Sequence, residues 1–295
     1  MISIIIPTLN NLKYLKLCLD SLKKNSYYPN QIILHINNGS DGTLEYVKEN
    51  NILYTHTENN LGMCRAVNLA AKLANQNYIL YAHDDFYFCP NWDKVLIDEA
   101  ENLKNQNFFL SGTMIKAGQV DRNYGDTIEE FNEQKLLNEY NQINYHDFQG
   151  STWCPSLLTA KMWREVGGLS EEFDPGTGSD TDLNMKLWSK GVRIHKGLGK
   201  SLVYHFGSII TRKKKNLKTK TYTGSRGTKL FLLKWGITVK LFDEYYLNGC
   251  ISKNKKLFCK PYDGPLAEPK RDIFFILGFL KCKFFYLYLK LINYK

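Results

Sequence analysis

No C-x-x-C pair occurs in this 295-residue chain, whose seven cysteines, Cys18, Cys64, Cys89, Cys154, Cys250, Cys259 and Cys282, are scattered along its length. That spacing excludes the short disulfide framework of a small secreted module, and it favours a reducing compartment with the thiols serving mostly as small buried hydrophobes. A basic n-region is missing too: Met1-Ile2-Ser3-Ile4-Ile5-Ile6 reaches Pro7 before a signal-like apolar stretch is complete, so a cytoplasmic location is expected. The net charge is +10, but no basic-aromatic recognition motif accompanies it, and no nucleic-acid partner is expected. The excess charge then fits a phosphorylated substrate or an acidic membrane surface. Also lacking is a clean membrane span. Ile273 to Ile292 are mainly Phe, Leu, Ile and Tyr, yet Lys281, Lys283 and Lys290 interrupt them. Roughly thirteen strongly apolar residues at about −0.3 to −0.6 kcal/mol each barely offset two central lysines at about +2.5 to +3.5 each. An interfacial helix making peripheral contact with anionic lipid through residues 273–295 is the expectation, and a helix docked on the protein's own core is the competing one.

What is present is a chain long enough for one large α/β domain or a domain with an accessory segment. Ile2 to Ile6 read as a strand buried on both faces and stopped by Pro7-Thr8-Leu9-Asn10. Leu12, Leu15, Leu19 and Leu22 then mark an amphipathic helix. Gln31 to Ile36 form a second strand closed by the turn formers Asn37 to Thr43, and Ile52 to His56 a third. Met63 to Ala74 give a small-residue helix with Arg65 and Asn68 on its polar side. The organising stretch is Tyr78-Ile79-Leu80-Tyr81-Ala82-His83-Asp84-Asp85, an apolar run that ends in two carboxylates. In a doubly wound sheet the crevice beyond the strand ends binds ligands, so acids there can hold a divalent metal; the same pair can also simply open a surface turn.

These residues carry a resemblance. Pro7-Thr8-Leu9-Asn10, Asn37-Asn38-Gly39-Ser40-Asp41-Gly42-Thr43, the helix entry with Asn60, Gly62, Ala66 and Asn68, and His83-Asp84-Asp85 stand in the order of the motifs of the family 2 glycosyltransferases. Over about residues 1 to 210 the chain resembles that family. The resemblance implies a GT-A fold, Rossmann-like with a mostly parallel sheet flanked by helices. A nucleotide-sugar half would span 1–105, an acceptor half 106–210, and a basic loop with a C-terminal helical extension 211–295. It also implies an inverting hexosyl-type glycosyltransferase of polysaccharide biosynthesis, dependent on Mn²⁺ or Mg²⁺. The donor is a nucleotide diphosphate sugar, UDP-sugar favoured, and the acceptor a glycan or lipid-linked glycan. Pro7, Thr8, Asn10, Asn38 and Arg65 are expected to hold the nucleotide, with Asp84 on the ribose or metal and Asp85 as principal metal ligand. Two departures stand out: His83 replaces the first acid of Asp-x-Asp, and Asn38 replaces the acid that faces the base, its carbonyl still able to accept from a pyrimidine N–H.

Farther on, Pro90-Asn91-Trp92 leads into a helix, Phe108 to Ile115 read as a strand, and 118–147 as a helical or irregular insertion. Trp153 is expected either to offer an aromatic face to a sugar ring or to fill the core. Gly167-Gly168-Leu169-Ser170-Glu171-Glu172-Phe173 and Gly178-Ser179-Asp180-Thr181-Asp182-Leu183 resemble a second family segment, with Ser179 where Glu is usual. By that resemblance Asp180 is the general base. Read from the residues alone, Asp180 and Asp182 are carboxylates complementing the dipole at the start of a helix through Leu183, Leu187 and Trp188. His205, after a strand at Ser201 to Tyr204, is by the same resemblance a metal ligand, imidazole suiting manganese; read alone, a lone histidine is structural. The basic run Arg212 to Lys220 reads as a solvated loop or as a lid over the diphosphate. Lys229 to Tyr246 are expected to be helical and Lys253 to Pro269 a linker. The competing class is a non-catalytic carbohydrate-binding or scaffold protein on a degenerate fold, for which His83, Asn38 and Ser179 speak and the retained Asp84, Asp85 and Asp180 do not.

Overall fold

Ile2, Ile4, Ile5 and Ile6 are fully buried, as an interior parallel strand covered on both faces requires. In the computed structural model, which describes residues 1–104, 107–116, 118–207, 223–253 and 256–292, β1 (Ile2–Leu9) pairs in parallel with β2 (Gln31–Asn37) and β4 (Tyr78–Tyr81). The outer strand β3 (Leu53–Thr57) is parallel to β2. Helices α1 (Leu12–Asn25), α2 (Thr43–Glu49) and α3 (Met63–Ala71) make the crossovers. Pro7 does not stop β1. The Ala82 N–H donates to the Ile5 carbonyl at 3.0 Å, so the polar groups of residues 5 and 7 face the side of β4, which ends at Tyr81. Pro7 therefore lacks a donor only where no strand needs one, and β1 runs on to Leu9.

After β4 come β5 (Phe86–Phe88), α4 (Trp92–Asn102) and β6 (Phe108–Lys116). The insertion holds only the short α5 (Glu133–Glu139) and a 3₁₀ turn. Then follow β7 (Phe148–Gln149), β8 (Ser156–Thr159), α6 (Ala160–Val166), α7 (Ser179–Ser189) and β9 (Ile194–His205). The sheet runs β3-β2-β1-β4-β8-β6-β9-β5, with β7 beside β9. β8 is antiparallel to both neighbours, while β6 and β9 are parallel. β9 starts at Ile194, earlier than Ser201. Gly197 and Gly199 break its apolar pattern, because a Cβ on either would collide with the Phe148 ring or the Tyr145 carbonyl that crosses there.

The C-terminal segments join the same core. α8 (Thr223–Trp235) packs its Gly227 against Thr177, and Phe231, Leu232 and Phe242 share the main apolar cluster. Where a linker was expected, β10 (Ile251–Lys253) and β11 (Lys256–Phe258) form an antiparallel hairpin. Its register of Ile251 opposite Phe258 sets Cys250 beside Cys259, and the two form a disulfide. The reading of the thiols as buried hydrophobes holds for Cys18, Cys64, Cys89, Cys154 and Cys282 and fails for this pair. Cysteine usage thus no longer supports a reducing compartment. The basic run Arg212 to Lys220 lies outside the described residues.

α9 (Ile273–Leu291) buries Phe275, Cys282 and Leu289, one residue every second turn, against the core. Phe279 and Tyr286 are half-buried beside them, and most of the remaining surface is exposed and apolar, with Phe274 at 70% and Phe284 at 75%, interrupted by Lys281, Lys283 and Lys290. The expectation of a helix docked on the protein's own core therefore holds for one face. Among the described residues no helix is long and apolar enough to cross a membrane.

Candidate metal and nucleotide-sugar site

The site forms where β4 ends. The chain turns at His83-Asp84-Asp85 and returns as β5, whose Phe86 is paired with His205 at the end of β9. The Phe206 N–H donates to the Asp85 carbonyl at 3.2 Å, closing the ladder. That antiparallel pairing brings the distant His205 to the acid-tipped strand. His83, Asp85 and His205 each offer a ligand atom, all within 4.8 Å of one another, and His205 Nε2 lies 3.6 Å from Asp85 Oδ1. A first-row cation about 2.1 Å from each ligand spaces neighbouring ligands about 3 to 4 Å apart. Among the described residues neither buried ring nitrogen of His205 has a hydrogen-bond partner, and a bound ion or water accounts for a buried polar atom left so. The residues fit a divalent cation. Burial pulls the His83 imidazole down to about 4, so at neutral pH it is the neutral form that ligates metals.

Of the expected metal ligands, Asp85 and His205 are brought together. His83, read in the sequence as a lost acid, joins them. The available signal was the chemistry of imidazole itself, a metal ligand at the same i, i+2 spacing from Asp85. Asp84 points the other way: its carboxylate accepts from Thr8 Oγ1 at 2.7 Å, and burial together with the charge of Asp85 pushes it up to about 7. Thr8 and Asp84 thus join the ends of β1 and β4 directly, with Pro7 one residue back in β1.

Asn10 and Asn38, both at positive φ, brace the loop after β2. Asn38 Oδ1 accepts from Asn10 Nδ2 at 3.0 Å and from the Ser40 N–H and hydroxyl, and Asn10 Oδ1 accepts from the Gly39 N–H. The oxygen expected to read a base is therefore already engaged within the protein. Arg65 sits half exposed with its Nε 3.1 Å from Glu171, a loop partner rather than one of the strand-end residues. The loop it meets is interlocked with α3. Asp174 accepts from the Cys64 N–H at 2.7 Å and occupies the space a side chain at Gly62 would need; Asn68 exchanges two hydrogen bonds with the backbone of Leu169 and packs against Gly168. The helix-entry motif and the Gly-Gly motif are thus two halves of one brace.

That brace sets the start of α7. Asp180, partly buried in its first turn, has its carboxyl pushed up to about 7 by burial, and its charge helps raise Tyr81, whose hydroxyl meets His83. Asp182, two positions on in the same turn, is wholly buried and accepts from Ser170 Oγ, Trp235 Nε1 and Lys234 Nζ at 2.5 to 2.9 Å. Its carboxylate fastens α8 to α7 and is unavailable for proton transfer. Trp153 is 41% exposed, so it does not fill the core, and its indole remains open as an aromatic face.

A model of glycosyl transferase family 2 matches residues 3–156, just over half of the chain. The chain belongs to that family. Solved structures agree on the fold. TarS residues 1–349 from S. aureus superpose with a TM-score of 0.54 at 16% identity, covering 82% of this chain and 65% of that one; the same protein in complex with UDP-GlcNAc gives 0.53. GalNAc-T7 with UDP, GalNAc and Mn²⁺ gives 0.54 at 15% identity, over 70% of this chain and 43% of that one. The family 2 chain thus has the GT-A fold and spans just under two thirds of the TarS segment and less than half of GalNAc-T7. No curated protein sequence matches it.

Proposed function

We propose that this chain is a hexosyl-type glycosyltransferase of polysaccharide biosynthesis that moves a sugar, with inversion, from a nucleotide diphosphate sugar to a hydroxyl of a glycan or lipid-linked glycan. The observation that carries the reading is the meeting of His83, Asp85 and His205 at one strand edge, with Asp180, a carboxyl of raised pKa, facing the Tyr81 hydroxyl that meets His83. UDP is favoured as the carrier, since the fold neighbours include one solved with UDP-GlcNAc and one with UDP and Mn²⁺. Asp85, His205 and His83 would hold a divalent cation, Mn²⁺ or Mg²⁺, which when bound supplies Lewis-acid neutralisation of the departing diphosphate.

The chain's own groups do the rest. Thr8 and Asp84, with Pro7 behind them, form the floor under the ribose and diphosphate. Asn10 and Asn38 hold the loop against which the base lies, and Arg65 stands at the rim. Asp180 takes the proton from the acceptor hydroxyl as its oxygen attacks the anomeric carbon opposite the leaving group; a carboxyl near 7 is well matched to that exchange at neutral pH. α9 rests its exposed apolar face on an anionic membrane with Lys281, Lys283 and Lys290 at the headgroups, within reach of a lipid-linked acceptor. Calorimetric screening of nucleotide sugars, with and without Mn²⁺, tests the reading. Metal-dependent binding of a UDP-sugar, followed by its slow hydrolysis, is expected. Absence of binding to every nucleotide sugar in the presence of metal would overturn it.

A further inference from the structure

The surroundings of His83 say more than that it joins a metal cluster. Its Nε2 lies 3.1 Å from the Tyr81 hydroxyl, which in turn reaches the Met63 sulfur. Its ring is stacked on Phe86 at 5.1 Å between centroids, and Phe86 also meets His205 edge-on at 4.9 Å. One nitrogen of His83 is thus engaged by a hydroxyl and the ring plane is fixed, an arrangement that leaves Nδ1 as the ligating atom. Ligating histidines are usually oriented in this way by a partner on the other nitrogen. Two imidazoles and one carboxylate form a donor set with a strong preference. Hard cations such as Mg²⁺ and Ca²⁺ take oxygen ligands, and Mg²⁺ gives up its water reluctantly, whereas imidazole suits first-row transition cations.

Resting on the metal-site reading above, we propose that His83 makes this site selective for a transition cation over Mg²⁺ and Ca²⁺, with the Tyr81 hydroxyl as the positioning group that fixes its ring. The substitution of His for an acid at this position is then a change of metal preference rather than a loss of the site. Phe86, packed against both imidazoles, fixes their positions relative to each other.

The test uses the full chain without nucleotide sugar, so its result does not depend on whether a transfer reaction is found. Titration calorimetry with Co²⁺, Mn²⁺, Mg²⁺ and Ca²⁺ should give Co²⁺ and Mn²⁺ affinities at least about tenfold above those of Mg²⁺ and Ca²⁺, and bound Co²⁺ should show a visible absorption band. His83→Asp should shrink the Co²⁺ to Mg²⁺ ratio by raising Mg²⁺ affinity, at an unchanged thermal midpoint. Tyr81→Phe should weaken Co²⁺ about tenfold, the usual effect of removing an outer-shell partner, and alter the band. Equal affinity for Mg²⁺ and Co²⁺ in the unmodified chain, or an unaltered ratio in folded His83→Asp, would overturn the proposal.

Discussion

Asp180 and Asp182 stand two residues apart in the first turn of α7 and meet opposite surroundings. Asp182 is enclosed by Lys234, Trp235 and Ser170; among the described residues Asp180 has no such cage, and burial raises its pKa. Asp182→Asn should therefore unfold first, since breaking one side of a buried pair costs about 3 to 5 kcal/mol. Its transfer activity, per folded molecule, should survive. Asp180→Asn should keep the fold and donor affinity while transfer falls about 10²- to 10⁴-fold, the range of a positioned general base. Thermal midpoint, donor affinity and transfer measured on the same two preparations separate these outcomes; near-normal transfer by Asp180→Asn would remove it as the base. At the metal cluster, Asp85→Asn should abolish Mn²⁺-dependent binding of nucleotide diphosphate in calorimetry, and His205→Ala should weaken it less, because water can replace one neutral ligand. Metal dependence unchanged in Asp85→Asn would refute the site. Which of these residues matter was partly legible from the motifs, which named Asp85, His205 and Asp180. Sequence spacing was silent on direction, and only the packing separates Asp180 from Asp182, or turns Asp84 toward Thr8.

Elements were legible in proportion to how regular their apolar pattern is. The isoleucine run of β1 and the leucine period of α1 declared themselves, whereas β9 was hidden by two glycines that exist because other backbone crosses the strand there. The hairpin of β10 and β11 was hidden as well, its strands too short for a period to emerge. α9 shows why the tail admitted two readings. One stripe, Phe275, Cys282 and Leu289 with half-buried Phe279 and Tyr286 beside it, is core, and most of the remainder is exposed apolar surface set with lysines. Removing the whole helix would therefore damage the core along with the surface. Phe274→Ser with Phe284→Ser changes only exposed positions, and this pair should leave the thermal midpoint within a degree or two, exposed substitutions typically costing under about 0.5 kcal/mol. Sedimentation with anionic liposomes should drop several-fold while neutral liposomes stay unbound by either form. Undiminished sedimentation by the double variant would show that α9 is not the membrane contact.

Across the whole molecule, the doubly wound half was foreseeable from its alternating strands and helices. The closing of the site was not, because it depends on β5 pairing with β9 over more than a hundred residues of chain, a contact that no local pattern encodes. The same long-range burial gives the protein a pH dependence made of opposed parts. Asp180 and Asp243 are each raised by burial to about 7 from an ordinary 3.8. Between those values the folded chain holds protons that the unfolded chain has released, so their contribution destabilises progressively as pH rises from about 4 through 7 and is constant above. His35 and His195 run the other way. Burial lowers them to about 4 and about 3 from 6.5, so the unfolded chain binds the extra protons and stability is lost as pH falls below 6.5. The two sets offset each other in the overall profile, and a difference between variants reads one of them alone. Asp180→Asn lacks the buried charge at every pH; its thermal midpoint relative to the unmodified protein should therefore be highest at pH 8 and decline as pH is lowered through 7 toward 4, below which the carboxyl is protonated in both states. Over the same interval transfer by the unmodified enzyme should fall as the base is protonated. A midpoint difference that stays level from pH 8 to pH 4 would mean that Asp180 ionises as an ordinary surface acid, and its matching to proton transfer at neutral pH would go with it.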